Sequence, residues 1–154
     1  MIKPIFLLFF SFASYSYSHS QYSRDLFVNP TGTYILKGEK YKNEIKGNYG
    51  EIRVKLLRDS MLAITMYSNK GYPDYTSASF TDTVLYEDNR AVYRPQSDAS
   101  CQLIFLFDPE GLNIKQIYTD PASTCGFEKG AIPLGFIGKY SSATPIIQPI
   151  SRSK

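Results

Sequence analysis

The chain has almost no histidine: the one histidine among its 154 residues is His19. His19 falls in a segment that we expect to be removed on export, so the mature protein should contain none. Ser-His-Asp and Cys-His nucleophilic sites and the common histidine zinc sites all need imidazole. The sequence also lacks a glycine-rich phosphate loop and a dinucleotide fingerprint. We therefore expect a non-catalytic protein with no metal site and no cofactor.

Carboxylates leave one possible route to catalysis, because paired aspartate and glutamate residues can hydrolyse glycosides. The acidic residues are scattered over predicted turns and loops, where they are expected without any catalytic role. They are Asp74, Asp82, Asp98, Asp108, Glu110 and Glu128. A carboxylate-only hydrolase requires two of these groups to converge in a cleft, and it is our third hypothesis.

Cysteine is also scarce, since Cys101 and Cys125 are the only two in the chain. In an oxidising compartment each has only the other as an intramolecular partner, which predicts one disulfide around residues 101–125. Closing a loop of about 25 residues removes roughly 3.5 kcal/mol of unfolded-state entropy in the chain-entropy model. The predicted disulfide therefore supplies a large share of the stability of a small domain.

No apolar run in the sequence is long enough to span a bilayer. Residues 1–20 instead have the layout of a secretory signal peptide: Lys3, an apolar stretch over residues 4–13, and small residues before Gln21. There is no lipobox cysteine, so we expect a periplasmic or secreted protein without a membrane anchor. The net charge of +3 is small and dispersed, which predicts no nucleic-acid partner.

A helical period is missing as well, because no segment repeats apolar residues every 3.6 positions over a dozen residues. Tryptophan is absent, and the tyrosine and phenylalanine that supply all the aromatic residues favour strands. Apolar and polar residues alternate over residues 51–57, and residues 61–67 return with Leu62, Ile64 and Met66 on one side. Residues 100–107 are almost continuously apolar, as in a strand covered on both faces.

These patterns predict an all-β protein of about eight short antiparallel strands with one disulfide. A small barrel or a two-sheet sandwich would close such a meander without exposed edges. We expect a single β domain over residues 21–140. The serine-, threonine- and proline-containing residues 141–154 are expected to form a loose C-terminal tail.

The best candidate for a binding site is the loop over residues 68–76, which carries Tyr72, Asp74 and Tyr75 around a proline. Amphipathic aromatic side chains on a stiffened loop make good contacts at low entropic cost. Tyrosines in such a protein also pack over strand ends, which is the alternative interpretation. A weaker candidate is the basic segment over residues 38–50, with Lys40, Lys42 and Lys46, which a solvated surface also explains.

Several short motifs resemble those of small exported bacterial β-barrel proteins. They are Gly32-Thr33-Tyr34, Cys101 at the head of an apolar strand, Cys125-Gly126-Phe127, and Gly138-Lys139-Tyr140. Some proteins of that group resemble periplasmic lysozyme inhibitors, which are small β-barrels with a disulfide. The resemblance covers about half of the chain, chiefly its C-terminal half. It implies a fold and a compartment, and it assigns no site residues.

The leading hypothesis is a non-catalytic periplasmic module that binds another protein, as an inhibitor of a cell-wall hydrolase or as an immunity protein against a toxin. The alternative is a lipocalin-like carrier of a small apolar ligand. A carrier needs a cavity of roughly 300 Å³ or more inside the barrel. An interior filled by side chains such as Leu56, Ile64, Phe105 and Phe107 would rule the carrier out.

Overall fold

The structure is a computed structural model that describes residues 26–58 and 60–150. The predicted signal peptide, residues 1–20, lies outside the described residues. The described residues form strands, turns and loops, and the all-β prediction is confirmed. None of them forms a helix that is long and apolar enough to cross a membrane.

Nine strands follow one another along the described chain. They are β1 (Gly32–Leu36), β2 (Glu39–Tyr41), β3 (Glu44–Leu56), β4 (Met61–Gly71), β5 (Ser77–Glu87), β6 (Arg90–Tyr93), β7 (Cys101–Phe107), β8 (Gly111–Tyr118) and β9 (Gly135–Ser141).

The strands form a closed antiparallel barrel of eight strands with one extra strand on its outside. Strands β3 to β9 pair in sequence order, and β1 closes the ring by pairing with β9 on one side and β3 on the other. Strand β2 pairs only with β3 and forms a short hairpin beyond the ring. Of the two predicted closures, the barrel is therefore the one that forms.

Strand β3 is long enough to pair with β2 and then with β1. Gly47 and Gly50 lie where the pairing changes from one to the other. The first residues of β3 pair with β2 up to Lys46, and β1 begins to pair with it at Gly50. Gly50 has a φ of 143°, and a Cβ there would lie 2.1 Å from the carbonyl oxygen of Tyr67 in β4. Only glycine allows β3 and β4 to approach this closely.

The interior of the barrel is filled by the side chains that the alternating pattern placed inward. Leu62, Ile64 and Met66 of β4 are fully buried, as the pattern predicted. The core is completed by aliphatic and aromatic side chains from the other strands, including Tyr34, Ile52, Val54, Leu103, Phe105, Phe107, Leu112 and Ile114. Each buried side chain of this size contributes about 1.5–3 kcal/mol of transfer free energy, which explains why the ring closes tightly.

The N-terminal segment covers one end of the barrel. The Tyr34 hydroxyl donates to the carbonyl of Pro30 at 2.7 Å, and the Tyr86 hydroxyl donates to the carbonyl of Val28 at 2.6 Å. The side chain of Asn89 in the β5–β6 turn accepts the Val28 amide at 2.8 Å. Burial raises the pKa of the Tyr86 phenol to about 12, so it stays a neutral donor.

The predicted disulfide forms at the opposite end. Cys101 begins β7 and Cys125 lies in the loop between β8 and β9, with their Cα atoms 5.1 Å apart. The Gln116 amide lies 3.2 Å from the Cys125 sulfur, and both cysteines are fully buried. The disulfide therefore ties the β8–β9 loop, residues 119–134, across the end of the barrel.

Residues 142–150 cross the outer face of β4. The Thr65 hydroxyl, which points outward, donates to the carbonyl of Gln148 at 3.1 Å. Thr65 is fully buried although it faces away from the core. The C-terminal segment therefore lies against the barrel wall as far as the described residues extend.

Candidate functional site

The predicted binding loop joins β4 to β5, and a buried asparagine forms hydrogen bonds with its backbone. Strand β4 extends to Gly71, four residues beyond the predicted strand over residues 61–67. Asn69 is 1% exposed; its side-chain oxygen accepts the Gly71 amide at 2.8 Å and its nitrogen donates to the Tyr75 carbonyl at 3.0 Å. The Tyr75 amide also donates to the Gly71 carbonyl at 2.8 Å. The loop backbone is therefore fixed at both ends.

This loop presents two tyrosine rings to solvent. Tyr72 is 45% exposed and Tyr75 is 40% exposed, and their ring centroids lie 6.4 Å apart in an edge-to-face arrangement. The third predicted residue, Asp74, forms an exposed ion pair with Lys70. Exposed pairs of this kind contribute little stability, so the pair chiefly neutralises the Asp74 carboxylate beside the rings.

The basic segment, predicted as a separate candidate, meets this loop in space. The Tyr72 amide donates to the carbonyl of Ile45 in β3 at 2.8 Å. The Lys46 ammonium lies 3.6 Å from the ring centroid of Tyr41 and 5.9 Å from that of Tyr72, and Lys42 lies 5.6 Å from Tyr41. Such cation–π contacts contribute about 0.5–1 kcal/mol each at exposed positions. We call Tyr41, Lys42, Lys46, Tyr72 and Tyr75 the tyrosine–lysine patch.

Lys40 lies outside this patch. Successive side chains of a strand point to opposite faces, so Lys40 and Tyr41 lie on opposite sides of the β2–β3 hairpin. Tyr41 was not among the predicted site residues, although it is 47% exposed and contacts both lysines of the patch. The alternation of residues 39–41 is the sequence signal that could have placed it with Lys46.

The electrostatics of the patch keep the Tyr75 phenol protonated. The Tyr75 hydroxyl donates to the carboxylate of Glu44 in β3. This hydrogen bond is the main reason why the pKa of Tyr75 is raised to about 12. A phenol that stays neutral is a hydrogen-bond donor and an aromatic surface, and it is a poor base near neutral pH.

The disulfide-bonded loop, residues 119–134, contacts the residues that directly follow Tyr75 of the patch. The Thr76 hydroxyl donates to the Lys129 carbonyl at 3.3 Å, and the Glu128 carboxylate accepts the Ser77 amide. Both acceptors lie in residues 119–134, which Cys125 anchors to β7. The predicted disulfide and the predicted binding loop are therefore neighbours, the first acting as a support for the second.

Four of the candidate carboxylates lie on separate connections between strands: Asp98 between β6 and β7, Asp108 and Glu110 between β7 and β8, and Glu128 between β8 and β9. Asp98 accepts from Ser100 and Ser123, and these hydrogen bonds lower its pKa. Asp108 accepts backbone amides of its own turn. Within residues 26–58 and 60–150 there is no group of three or more histidine, cysteine or acidic side chains placed to hold a metal ion.

Comparison with known proteins finds no relative for this chain: no protein-family model, curated protein or solved structure matches it. Two of the motifs that resemble those of small exported β-barrel proteins, Gly32-Thr33-Tyr34 and Gly138-Lys139-Tyr140, are adjacent, since Tyr34 of β1 pairs with Lys139 of β9. The resemblance to lysozyme inhibitors stays a prediction. The function proposed next depends on the contacts of the described residues.

Proposed function

We propose that the chain is a non-catalytic, exported module that binds another protein through the tyrosine–lysine patch. It acts as an inhibitor of a cell-wall hydrolase or as an immunity protein against a toxin. The main support for the proposal is the exposed pair Tyr72 and Tyr75. Hydrogen bonds to the Asn69 side chain and to the β2–β3 hairpin fix the backbone of their loop.

The composition of the patch is that of a protein-binding surface. Tyrosine is enriched among the residues that dominate binding energy, because its ring gives a large contact area with only two rotatable bonds. A preorganised loop also loses little entropy when it binds. Lys42 and Lys46 add positive charge, which favours a partner surface that carries carboxylates.

The packing of the barrel interior favours an external binding surface over the carrier alternative. Phe105 and Ile64 are fully buried and Phe107 is 5% exposed, so these side chains occupy the space that an apolar ligand would need. Leu56 is half-buried and packs against the same core. A carrier with a cavity of roughly 300 Å³ would have to displace several of them.

The disulfide supports the exported compartment, since disulfides form and persist in oxidising surroundings. A periplasmic or secreted location agrees with the predicted signal peptide over residues 1–20.

The test is to mix the purified chain with a lysozyme and, separately, with a secreted effector encoded beside it. Complex formation is measured by calorimetry and hydrolase or toxin activity by assay. We expect one of these partners to bind and lose activity. Tyr72→Ala should weaken that complex about tenfold or more, as expected for an interface hot spot.

Tyr140→Ala is the matched control, because Tyr140 is an exposed tyrosine of β9 outside the patch. Its affinity should stay within about twofold of the original, as for residues outside an interface. Unchanged activity and no complex with either partner would contradict the proposal. Equal losses in Tyr72→Ala and Tyr140→Ala would remove the patch as the binding site.

A further inference from the structure

Among residues 26–58 and 60–150, nothing pairs with one side of strand β5 over most of its length. It pairs with β4 from Ser77 to Leu85, but with β6 only at Tyr86 and Glu87. Strand β6 is only four residues long and continues into a loop after Tyr93. The barrel wall therefore opens into a seam between β5 and β6 on the side of the disulfide.

The direction of the backbone groups shows which residues face the seam. The Tyr86 amide donates to Ser60, beside the start of β4, so Tyr86 directs its backbone groups towards β4. Alternate residues of an antiparallel strand point the other way. The seam is therefore faced by the backbone groups of Ser79, Thr81, Thr83 and Leu85, which we call the open edge. At Thr83 the amide donates to the neighbouring Asp82 carboxylate at 2.7 Å.

Aromatic rings line the core side of the seam, beneath the open edge. Phe80 of β5 stacks on Tyr93 of β6 with ring centroids 4.1 Å apart. Burial raises the pKa of the Tyr93 phenol, and the charge of Asp82 adds to the effect. Outside this stack a cleft of about 400 Å³ follows the two strands, lined by Leu85, Glu87, Asp88, Arg90, Val92 and Arg94.

Asp82 is the unusual residue of this strand. It lies opposite the fully buried Ile64 of β4, at a position where β5 otherwise places core side chains, yet it is exposed through the seam. The ion pairs within the described residues are Arg53–Glu51 and Lys70–Asp74, so Asp82 has no cationic partner there. A carboxylate at an open edge repels a second copy of the same edge.

We propose that the open edge receives an extended segment of the partner protein as an added strand, with a lysine or arginine of that segment facing Asp82. This inference rests on the proposed function, since β5 begins at Ser77, two residues after Tyr75 of the patch. A segment held at the patch can thus reach the open edge at Ser79, beyond the Ser77 amide, which donates to the Glu128 carboxylate. Main-chain hydrogen bonds to the open edge would supply affinity, and the exposed Asp82 carboxylate would select a cation.

The first experiment tests whether the edge is open, by amide hydrogen exchange in the purified chain. Thr81 and Leu85 should exchange fast, whereas Phe80 and Val84, which face β4, should be protected. Equal protection at all four positions would mean that the edge is closed, and would overturn the inference.

The second experiment uses a seven-residue peptide of alternating threonine and valine with lysine at its centre, and the same peptide with glutamate there. We expect the lysine peptide to shift the amide signals of Thr81, Thr83 and Leu85 and to slow their exchange. The glutamate peptide should bind about fivefold more weakly, as for one partly exposed charge pair. Asp82→Asn keeps a side-chain oxygen for the Thr83 amide and should remove this difference, while Glu110→Gln, a distant exposed carboxylate, should keep it.

Absence of shifts at millimolar lysine peptide, or equal binding of both peptides, would overturn the inference. So would self-association of Asp82→Asn without peptide binding, which would assign the edge to a second copy.

Failure of the proposed function is a separate result. If the peptide binds but no hydrolase or toxin does, only the proposed function fails. If a partner complex depends on Tyr72 but not on Asp82, only this inference fails.

Discussion

The surroundings of Tyr75 show which residues of the patch can be predicted from the sequence and which cannot. The loop composition identified Tyr72, Asp74 and Tyr75, because proline and glycine next to tyrosine mark an exposed turn. It could not identify Tyr41 or Glu44, which come within reach only when the β2–β3 hairpin folds beside the loop. It also left open that Asp74 pairs with Lys70 of its own strand. Contacts between distant segments are the part that local composition does not contain.

Replacing Glu44 by glutamine should lower the pKa of the Tyr75 phenol from about 12 towards its ordinary value of 10.0. The amide oxygen can still accept the hydroxyl, but it carries no charge to oppose the phenolate. Titration of tyrosine ring carbons by NMR measures this, with Glu39→Gln on the same hairpin as control. An unchanged Tyr75 titration in Glu44→Gln would contradict the assigned hydrogen bond.

The same shift fixes the direction of a pH effect. The folded pKa of Tyr75 lies above the unfolded value of 10.0, so the Tyr75–Glu44 contact is fully present below pH 10. It is lost as the pH rises from 10 towards 12. Binding through the patch should therefore be insensitive to Tyr75 ionisation at neutral pH.

At the level of the strands, the sequence predicted the strands in which apolar and polar residues alternate. It did not predict where a strand continues through polar residues. The β3–β4 hairpin was predicted from its alternating apolar residues and is confirmed. The glycine and proline of residues 68–76 predict a loop over that whole stretch, but β4 continues to Gly71. Ser68 and Asn69 are nevertheless buried, since the β8–β9 loop covers this end of the barrel. A loop that folds back from 50 residues away leaves no local signal.

Removing the disulfide with Cys101→Ser and Cys125→Ser together should lower the free energy of unfolding by about 3.5 kcal/mol, from the loop of 24 residues that it closes. Urea unfolding measures the loss, and the original chain in reducing agent should match the double variant. Amide exchange should also rise at Thr76 and Ser77, which the tied loop contacts. A loss below about 1 kcal/mol would show that the loop stays in place without the bond.

For the molecule as a whole, the sequence predicted an all-β domain but left barrel and sandwich open. Both closures bury the same alternating residues, so the pattern of a single strand cannot distinguish them. The deciding contact is the pairing of β1 with both β3 and β9. The side chains that pack into the interior also favour an external binding surface over the alternative of a carrier.

Phe105→Ala should destabilise the chain by about 3–5 kcal/mol and create a cavity inside the barrel. A benzene-sized probe should bind this variant and should not bind the original chain. Phe136→Ala is the control, because Phe136 is 57% exposed on the outer wall and its loss leaves the interior unchanged. Stoichiometric probe binding inside the original chain would contradict the filled interior and would favour the carrier.

The position of β1 in the ring also determines when the barrel can close during folding. One of its edges pairs with residues of β3 that lie 14–22 positions later in the chain, but the other pairs with residues of β9 that lie 105–108 positions later. In the proposed export through a narrow pore, N terminus first, β1 would emerge early and keep one edge unsatisfied until nearly the whole chain had followed. Chains interrupted before β9 would expose edges on both β1 and β8, which favours aggregation and degradation. The ring thus makes late truncations as damaging as early ones.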